Sequence, residues 1–296
     1  MHARFFAFSF AVVLVLGSAP MCAMAQRQIT AEEEAAQVKT AAAKPTPRAS
    51  DGHPDLSGYW KLPEATVSDH QINGVTYVDA IPGKAGAPSW VVPTTGPRPD
   101  PNPPPYKSDL WPKVKDFAAH EVDMDPAFHC KPLGVPRAGA PQQIVQTPKL
   151  TVLFYQTDSG AGDTPGVGVR LVPTNAREHR TDIDPMYFGD SVGHWEGDSL
   201  VVDVTHLTDD TWLGMRGYFH STALHVMERY TRKGDTLTYE ATVEDPNVLI
   251  KPWVMTPETE ILVDTMVVEQ PPCEEREVGH LVNGANHAGG NLNDPR

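Results

Sequence analysis

The fold is decided by residues 193–204, which read Gly-His-Trp-Glu-Gly-Asp-Ser-Leu-Val-Val-Asp-Val. Gly197 and Asp198 form a two-residue turn signal between stretches that alternate in polarity, which is typical of a β-hairpin. A two-residue loop pairs Trp195 with Leu200 on one apolar face of this hairpin. That face continues through Val202, Val204 and, at its far end, His206. The opposite face carries His194, Glu196, Ser199 and Asp203.

A second hairpin is predicted at residues 223–243, with its turn near Gly234. One of its faces combines Leu224, Val226, Glu228 and Tyr230 with Leu237, Tyr239, Ala241 and Val243. Glu228 is the exception on this apolar face, because a buried carboxylate needs a cation or several donors, or it keeps its proton. Glu228 is therefore either an acid–base catalyst or one half of a structural ion pair with an arginine. His225 and Arg229 belong to the other face.

Strand signals also dominate the rest of the central chain. Further β-branched or aromatic runs, bounded by Gly, Asp, Asn or Pro, lie at residues 150–157, 167–172 and 260–268. No segment of comparable length outside the N-terminal apolar run shows a helical period. We therefore expect an all-β fold, an antiparallel β-barrel or sandwich with long Pro-rich loops, and we favour a lipocalin-like barrel.

The N-terminus has the layout of a secretory signal peptide. Arg4 precedes an apolar run of 12 residues at 5–16, and Ala23-Met24-Ala25 is a small-x-small cleavage site. This run is too short for a membrane-spanning helix, which needs roughly 20 residues. The sequence predicts cleavage after Ala25 and a mature protein in the periplasm or outside the cell. A lipoprotein site at Cys22 is the alternative, but Pro20-Met21 is poorly suited to precede it.

Composition divides the mature chain into segments. Residues 26–50 hold an acidic, Ala-rich run at 31–43 and few groups able to enter a core, which predicts a flexible tether with some nascent helix. Residues 51–282 are predicted to form a single β-rich domain, and 283–296 a mobile tail rich in Gly and Asn. Within the domain, residues 82–105 hold nine prolines in 24 positions. Proline fixes φ and removes a ladder donor, so this segment is predicted to be extended and loop-like.

The charge balance restricts the class of partner. Removal of residues 1–25 takes away Arg4, so the formal charge changes from −14 to −15. An acidic surface repels phosphate backbones and anionic lipids, which argues against nucleic acid as a partner and against membrane attachment after signal cleavage. We expect a small-molecule ligand or substrate, while the sequence does not indicate the oligomeric state.

Two cysteines remain after the predicted cleavage, Cys130 and Cys273. An oxidising compartment favours a disulfide bond between them. On the loop-entropy estimate, closing a loop of about 140 residues stabilises the fold by roughly 4–5 kcal/mol. Two free structural thiols are the alternative.

The strongest motifs lie in the two hairpins. They are the run at residues 193–203, His220-Ser221, Leu224-His225-Val226 and Glu228-Arg229. The set is extended by Asp125-Pro126, Cys130-Lys131-Pro132-Leu133-Gly134, Pro136-Arg137, Asp245-Pro246 and Lys251-Pro252-Trp253. On these motifs the chain resembles, over about residues 50–280, a large family of exported bacterial proteins. The resemblance implies export but transfers no activity, fold or catalytic residue, and the chain departs from it at residues 176–179, where a Gly-containing turn is expected.

The predicted chemistry is metal-free proton transfer, in which a histidine works opposite a tuned carboxylate. The candidate catalytic residues are His194, His220, His225, Glu228 and Arg229. The candidate substrate-binding residues are Trp195, Glu196, His179, Arg177 and Trp253. Such a site suits an acid–base lyase, isomerase or hydrolase acting on a small polar molecule, and no cofactor is predicted.

Other kinds of site compete with this hypothesis. A metal enzyme using His220 and His225 requires a β-bulge, because His225 and Glu228 face opposite sides of a regular strand. Residues 189–193 match the G-x-S-x-G nucleophile pattern, but the sequence around Ser191 predicts a hairpin strand where that motif requires a helix. A non-catalytic barrel that binds a small molecule in an apolar interior is the main alternative. Its walls could include Trp195, Trp212, Trp253, Tyr218 and Phe219.

Overall fold

The computed structural model describes residues 31–63, 67–72, 75–80, 102–155, 168–175 and 177–264. Within them, ten strands form one antiparallel sheet that curls into a nearly closed barrel, and two more strands form a separate hairpin. The prediction of an all-β barrel is confirmed. The predicted signal peptide, most of the Pro-rich segment, Cys273 and the predicted tail at 283–296 lie outside the described residues.

The elements of the described residues are numbered in chain order. The strands are β1 (Gly58–Lys61), β2 (Val67–Ile72), β3 (Val75–Ala80), β4 (Gln143–Thr147), β5 (Leu150–Tyr155), β6 (Gly168–Pro173), β7 (Asp190–Glu196), β8 (Ser199–Thr205), β9 (His225–Lys233), β10 (Thr236–Glu244), β11 (Trp253–Val254) and β12 (Glu258–Val263). The α-helices are α1 (Ala31–Ala42), α2 (Trp111–Ala119) and α3 (Glu121–Met124). Short 3₁₀ turns lie at Ser108–Leu110 and Pro126–His129. No helix in this part of the chain is long and apolar enough to cross a membrane.

The main sheet is built from two meanders. Strands β4, β5 and β6 form one, and β7, β8, β9 and β10 form the other. Strand β12 pairs with β10, and β1 pairs with both β12 and β4. Two strands from opposite ends of the domain therefore join the meanders, while β11 pairs with the end of β10.

The barrel closes where β6 and β7, the two ends of the strand order, lie side by side. The ladders of the described strands include no β6–β7 pair. Side chains make the contact instead, since Arg170 Nη2 of β6 donates to Ser191 Oγ of β7 at 2.9 Å. Gly193 of β7 lies so close to Val172 of β6 that a Cβ there would approach a Val172 methyl to 2.9 Å.

The barrel core follows the alternation predicted for the two hairpins. Trp195 pairs with Leu200 across a two-residue loop, and Tyr239 pairs with Tyr230 in the second hairpin. The inward residues of β8, β9 and β10 are essentially inaccessible to solvent: Leu200, Val202, Val204, Val226, Glu228, Tyr230, Leu237, Tyr239, Ala241 and Val243. The predicted register of the first hairpin and the predicted inward faces of both hairpins are therefore confirmed.

The segment before β1 is attached to the β9–β10 turn. The backbone N–H of Asp235 donates to Ala41 O at 2.9 Å, and that of Gly234 donates to Thr46 Oγ1 at 2.8 Å. Lys44 Nζ lies 2.6 Å from Asp235 Oδ2. Residues 31–42 are helical and residues 41–46 are bonded to the barrel, where the sequence predicted a flexible tether.

A satellite aromatic cluster surrounds α2. The Phe117 ring stacks on Trp212 at 5.7 Å and meets Phe219 edge to face at the same centroid distance. Tyr106, which precedes α2, donates its hydroxyl to Phe219 O at 2.5 Å. This cluster is continuous with the barrel core, so α2 folds as part of the same domain although its nine residues show no clear helical period in the sequence.

The two hairpin turns offer a matched test of the attachment of residues 41–46 to the β9–β10 turn. Gly197 and Gly234 both have φ near +60°, but a Cβ on Gly197 would meet no atom within 4 Å, whereas one on Gly234 would lie 2.5 Å from Ala41 O. We expect Gly197→Ala to lower the free energy of unfolding by about 1 kcal/mol, the cost of a left-handed non-glycine residue. Gly234→Ala should cost at least about 1 kcal/mol more, because the backbone of residues 41–44 must shift. Urea unfolding of both variants measures the difference, and equal losses would contradict the contact.

Candidate functional site

An ion pair lies inside the barrel between Arg170 of β6 and Glu228 of β9. Arg170 Nη2 donates to Glu228 Oε2 at 2.6 Å, and Nη1 donates to Oε1 at 3.1 Å. Both side chains are almost fully buried. Buried charges are tolerated when they neutralise each other and their remaining hydrogen-bonding positions are filled. Of the two roles considered for Glu228, the structural ion pair with an arginine is the one that this geometry forms.

Four hydroxyl groups form further hydrogen bonds to the pair, while Arg170 Nε has no partner among the described residues. Tyr155 OH (2.7 Å) and Ser191 Oγ (2.9 Å) accept from Arg170, while Tyr230 OH (3.2 Å) and Tyr239 OH (3.0 Å) donate to Glu228. Burial raises the pKa of Tyr155 to about 12 and raises the pKa of Tyr230 and Tyr239 well above the usual value. The three phenols therefore keep their protons at neutral pH and serve as fixed hydrogen-bonding groups.

The G-x-S-x-G pattern around Ser191 does not form a nucleophile elbow. Ser191 lies within β7, and its Oγ is held by Arg170 in the barrel interior. Among the described residues no histidine makes a hydrogen bond to it. A nucleophilic serine needs both a strand-to-helix turn and an adjacent base, and neither is present in the described part of the chain.

Two more carboxyl groups face the interior from β12. Glu258 pairs with Tyr239 and Glu260 pairs with Leu237 in the β10–β12 ladder, so the glutamates share the inward face of those two residues. Glu260 is 3% exposed, and Glu258 is partly exposed. Burial raises the pKa of both carboxyl groups, and for Glu260 the neighbouring Glu258 raises it further. The sequence analysis selected neither residue.

A line of carboxylate and imidazole groups crosses the outer face of β7, β8 and β9. His179 Nδ1 lies 2.9 Å from Asp190 Oδ2, and His225 Nε2 lies 2.7 Å from Asp203 Oδ1. The two pairs meet because His179 Nε2 lies 3.3 Å from Asp203 Oδ1, close enough for charge attraction but not aligned as a hydrogen bond. Glu244 extends the line, 3.5 Å from His225 Nδ1. We call these five residues the outer-face chain.

Asp190 is the anchor of this chain. Its side chain is buried although it points outward, and it accepts hydrogen bonds from the Arg177 guanidinium (2.6 and 3.0 Å) and from Arg180 Nε (3.1 Å). Burial alone would raise the pKa of the Asp190 carboxyl, but the donors Arg177, Arg180 N and His179 hold it well below its usual range. The outer-face chain therefore fixes residues 177–180 on the sheet.

Two of the three predicted catalytic histidines, His220 and His225, contact protein groups through both ring nitrogens. His220 is buried between Thr211 Oγ1 (2.7 Å from Nε2) and Ser221 O (3.0 Å from Nδ1), and burial lowers its pKa. His225 has a carboxylate on each side of its ring. Both rings therefore face protein groups in this structure.

A separate, partly exposed cluster joins three of the predicted residues: His194, Glu196 and Arg229. Arg229 Nη2 donates to Glu196 Oε2 at 2.5 Å, and His194 Nε2 lies 3.2 Å from Glu196 Oε1. The arginine lowers the pKa of Glu196, and His194 lowers it further. These side chains lie on the outer face of the barrel, so they are separated from Glu228 by the sheet itself.

The predicted aromatic binding residues make structural contacts. Trp195 stacks on His53 with a centroid distance of 4.5 Å and nearly parallel rings. Trp253 is buried and donates its indole N–H to Asn102 O at 3.1 Å. Each indole thus fastens a neighbouring segment to the barrel.

The structure therefore brings the predicted residues together only in parts. His194, Glu196 and Arg229 meet, and Arg177, His179 and His225 belong to the outer-face chain or contact it. His220, Glu228 and Trp253 lie in separate buried places. Sequence reasoning missed Arg170, Asp190, Glu258 and Glu260, of which only the strand alternation around Arg170 and Glu260 carried a signal of an inward polar residue.

The metal alternative receives no geometric support from this arrangement. His220 and His225, proposed as ligands, have separate hydrogen-bond partners. In the described ranges, no group of three or more His, Cys, Asp or Glu side chains is placed to hold a metal ion.

Comparison with family models, with characterised proteins and with solved structures finds no match to this chain.

Because both partners of the Arg170–Glu228 pair are buried, we expect their contributions to the free energy of unfolding to be strongly coupled. Glu228→Gln leaves Arg170 charged and buried without its counter-ion, so the free energy of unfolding should fall by about 3 kcal/mol or more. Arg170→Met should also destabilise the barrel, while the double variant should recover part of the loss because no unpaired charge remains. Denaturant unfolding of the four proteins gives the coupling energy. A double variant whose loss equals the sum of the single losses would show that the pair is not coupled.

The hydrogen bonds of the outer-face chain predict that Asp190 makes a pH-dependent contribution to the stability of the fold. Asp190→Asn should lower the free energy of unfolding by about 2 kcal/mol at pH 7, because charge-assisted hydrogen bonds are lost. Since the folded pKa of Asp190 is depressed, its stabilisation is present above the unfolded value near 4 and is lost as the pH falls through the folded value. The difference between wild type and variant should shrink below about pH 4.

The control for Asp190 is Asp198→Asn, which removes an exposed ion pair with Arg48 and should change stability little. If both substitutions have the same effect at pH 7, Asp190 does not anchor residues 177–180.

Proposed function

We propose that the protein is an exported barrel that binds a small molecule in its interior without transforming it. One observation carries the proposal. Glu260 is buried inside the barrel, and its Oε2 has no hydrogen-bond donor among the described residues. Leaving such an oxygen unpaired is costly, so a ligand that donates to it gains binding free energy.

The arrangement of the other polar groups supports binding over catalysis. In the interior pair, both Arg170 Nη atoms and both Glu228 oxygens have protein partners, and Arg170 Nε has none among the described residues. The histidines of the outer-face chain face carboxylates. Catalysis at the predicted residues would need His194, His220, His225, Glu228 and Arg229 to converge, and they lie on both sides of the sheet.

Export is the part of the proposal that rests on the sequence. The N-terminal run with its Ala23-Met24-Ala25 site and the resemblance to exported bacterial proteins support a periplasmic or extracellular location. A disulfide between Cys130 and Cys273 fits that compartment. The acidic surface fits a partner other than nucleic acid or anionic lipid.

Native mass spectrometry of the full chain against a library of neutral, anionic and cationic small molecules tests the proposal. We expect a one-to-one adduct that also raises the midpoint of thermal unfolding, because a ligand that binds only the folded state stabilises it. Leu237→Phe enlarges a buried side chain directly opposite Glu260 and should abolish the adduct in a protein that circular dichroism shows to be folded.

The control is Val254→Phe, at an exposed position of β11, which should bind as the wild type does. An adduct that survives Leu237→Phe lies outside the interior, and a library without any adduct contradicts small-molecule binding.

A further inference from the structure

The outer face of strands β4, β5 and β6 is apolar. The β4–β5 and β5–β6 ladders place its side chains in three rows of three directly opposed residues. The nine residues, which we call the apolar face, are Gln143, Val145 and Thr147 of β4, Leu150, Val152 and Phe154 of β5, and Val169, Leu171 and Pro173 of β6. Seven of the nine are apolar and none is charged. Much of this face is open to solvent, since Leu171 is 60% exposed, Val169 52% and Val145 41%.

These three strands are apolar on their inner face as well, where Ile144 and Leu153 belong to the barrel core. An antiparallel strand with one face in water alternates apolar and polar residues, whereas a strand that is apolar on both faces is typically covered on both. Strands β8 and β9 follow the first pattern, with Asp203, His225 and Arg229 on their outer face. The contrast between the two meanders indicates that the apolar face has an occupant.

The distribution of charge favours a second copy of this chain as the occupant. The whole chain has a formal charge of −14, so two copies repel each other in most orientations. Residues 143–155 and 168–173 include no Asp or Glu. Their two cations are Lys149, in the exposed β4–β5 turn, and Arg170, which points inward. Two copies can therefore meet at the apolar face without placing carboxylates opposite each other.

The size of the apolar face fits the centre of such a contact. Three strands about 4.8 Å apart, each with five residues at about 3.4 Å per residue, cover roughly 14 Å by 17 Å, or roughly 240 Å². A standard interface buries about 800 Å² per partner, with an apolar centre inside a polar rim. Gln143 and Thr147 lie along the β4 side of the apolar face, and Tyr59 of β1 extends it beyond Gln143. Such residues suit a rim.

We propose that the apolar face is a dimer interface, in which two copies of this chain pack the outer faces of β4, β5 and β6 against each other. A two-fold axis uses the same surface on both copies, so one such face per molecule is sufficient. The two sheets would stack about 10 Å apart. This inference does not depend on an interior ligand. Occupation of the face by a different protein or by another segment of this chain is the competing account, and in either case the purified protein stays monomeric.

Sedimentation velocity of the purified protein over roughly 1–100 μM tests the proposal. We expect a monomer that converts to a dimer as the concentration rises. Added salt should lower the dimer dissociation constant, because it screens the repulsion between two acidic molecules and leaves the apolar contact in place.

Three variants test the location of the interface. Leu171→Glu should raise the dimer dissociation constant at least about tenfold, because the two-fold axis buries each new carboxylate against an apolar surface. Val145→Lys should weaken the dimer in the same direction from a different strand. Val254→Glu is the matched control, since Val254 of β11 is 63% exposed and lies outside the apolar face, and it should leave the dissociation constant unchanged. Circular dichroism checks that each variant is folded.

Three results would overturn the proposal. The first is a wild-type protein that stays monomeric over the whole concentration range. The second is a dimer whose dissociation constant is unchanged by both Leu171→Glu and Val145→Lys, because it must use another surface. The third is an equal loss in Val254→Glu and Leu171→Glu. A protein that dimerises as expected but binds no member of the small-molecule library loses the proposed binding function and keeps this interface.

Discussion

The contact between Arg170 and Glu228 connects the two meanders through the middle of the barrel. Strands β6 and β7 meet without a shared backbone ladder in the described residues, so the seam depends on side chains. Arg170 is the side chain that reaches both Ser191 of β7 across the seam and Glu228 of β9. The low dielectric of the interior strengthens these bonds and also makes an unpaired member costly. The arrangement that closes the barrel at β6 and β7 is therefore also the one that pairs the buried charges of Arg170 and Glu228.

The polar groups on the outer face of the barrel also join separate segments of the chain. Asp190, buried on the outer face, collects donors from Arg177, His179 and Arg180, while Asp203 contacts the rings of two histidines. Several residues of the sequence motifs make such structural contacts, including the buried pair of Asp125 and Arg137 at 2.7 Å. A motif rich in His, Asp and Arg can therefore mark the fastening of loops to a β-sheet as readily as a catalytic site.

The two inward glutamates of β12 differ from these clusters because no salt bridge in the described chain includes either of them and burial raises the pKa of both. Arg170, Asp190 and Asp125 each form an ion pair, whereas Glu260 Oε2 has no hydrogen-bond partner among the described residues. The proposal of a binding barrel rests on this contrast. A group that a fold leaves buried and unpaired is better explained by a ligand, a water molecule or a proton than by stability alone.

The sequence by itself determined the strands and their faces. Side-chain alternation has a period of two and a two-residue turn sets the register, so Trp195 with Leu200 and Tyr230 with Tyr239 were predictable from local pattern alone. The short strands β1 and β4 and the helix α2 carry too few residues to show a period, and they acquire their structure from contacts distant in the chain.

Only the tertiary structure decided the partner of each polar residue. Glu228 could be recognised as a buried carboxylate, but Arg170 lies 58 positions away and its approach depends on barrel closure. The grouping of His179 with Asp190 and His225, and the isolation of Glu260, likewise follow from strand order. Local alternation reports which face a side chain occupies, whereas the group that it meets there is set by how the strands are arranged in the sheet.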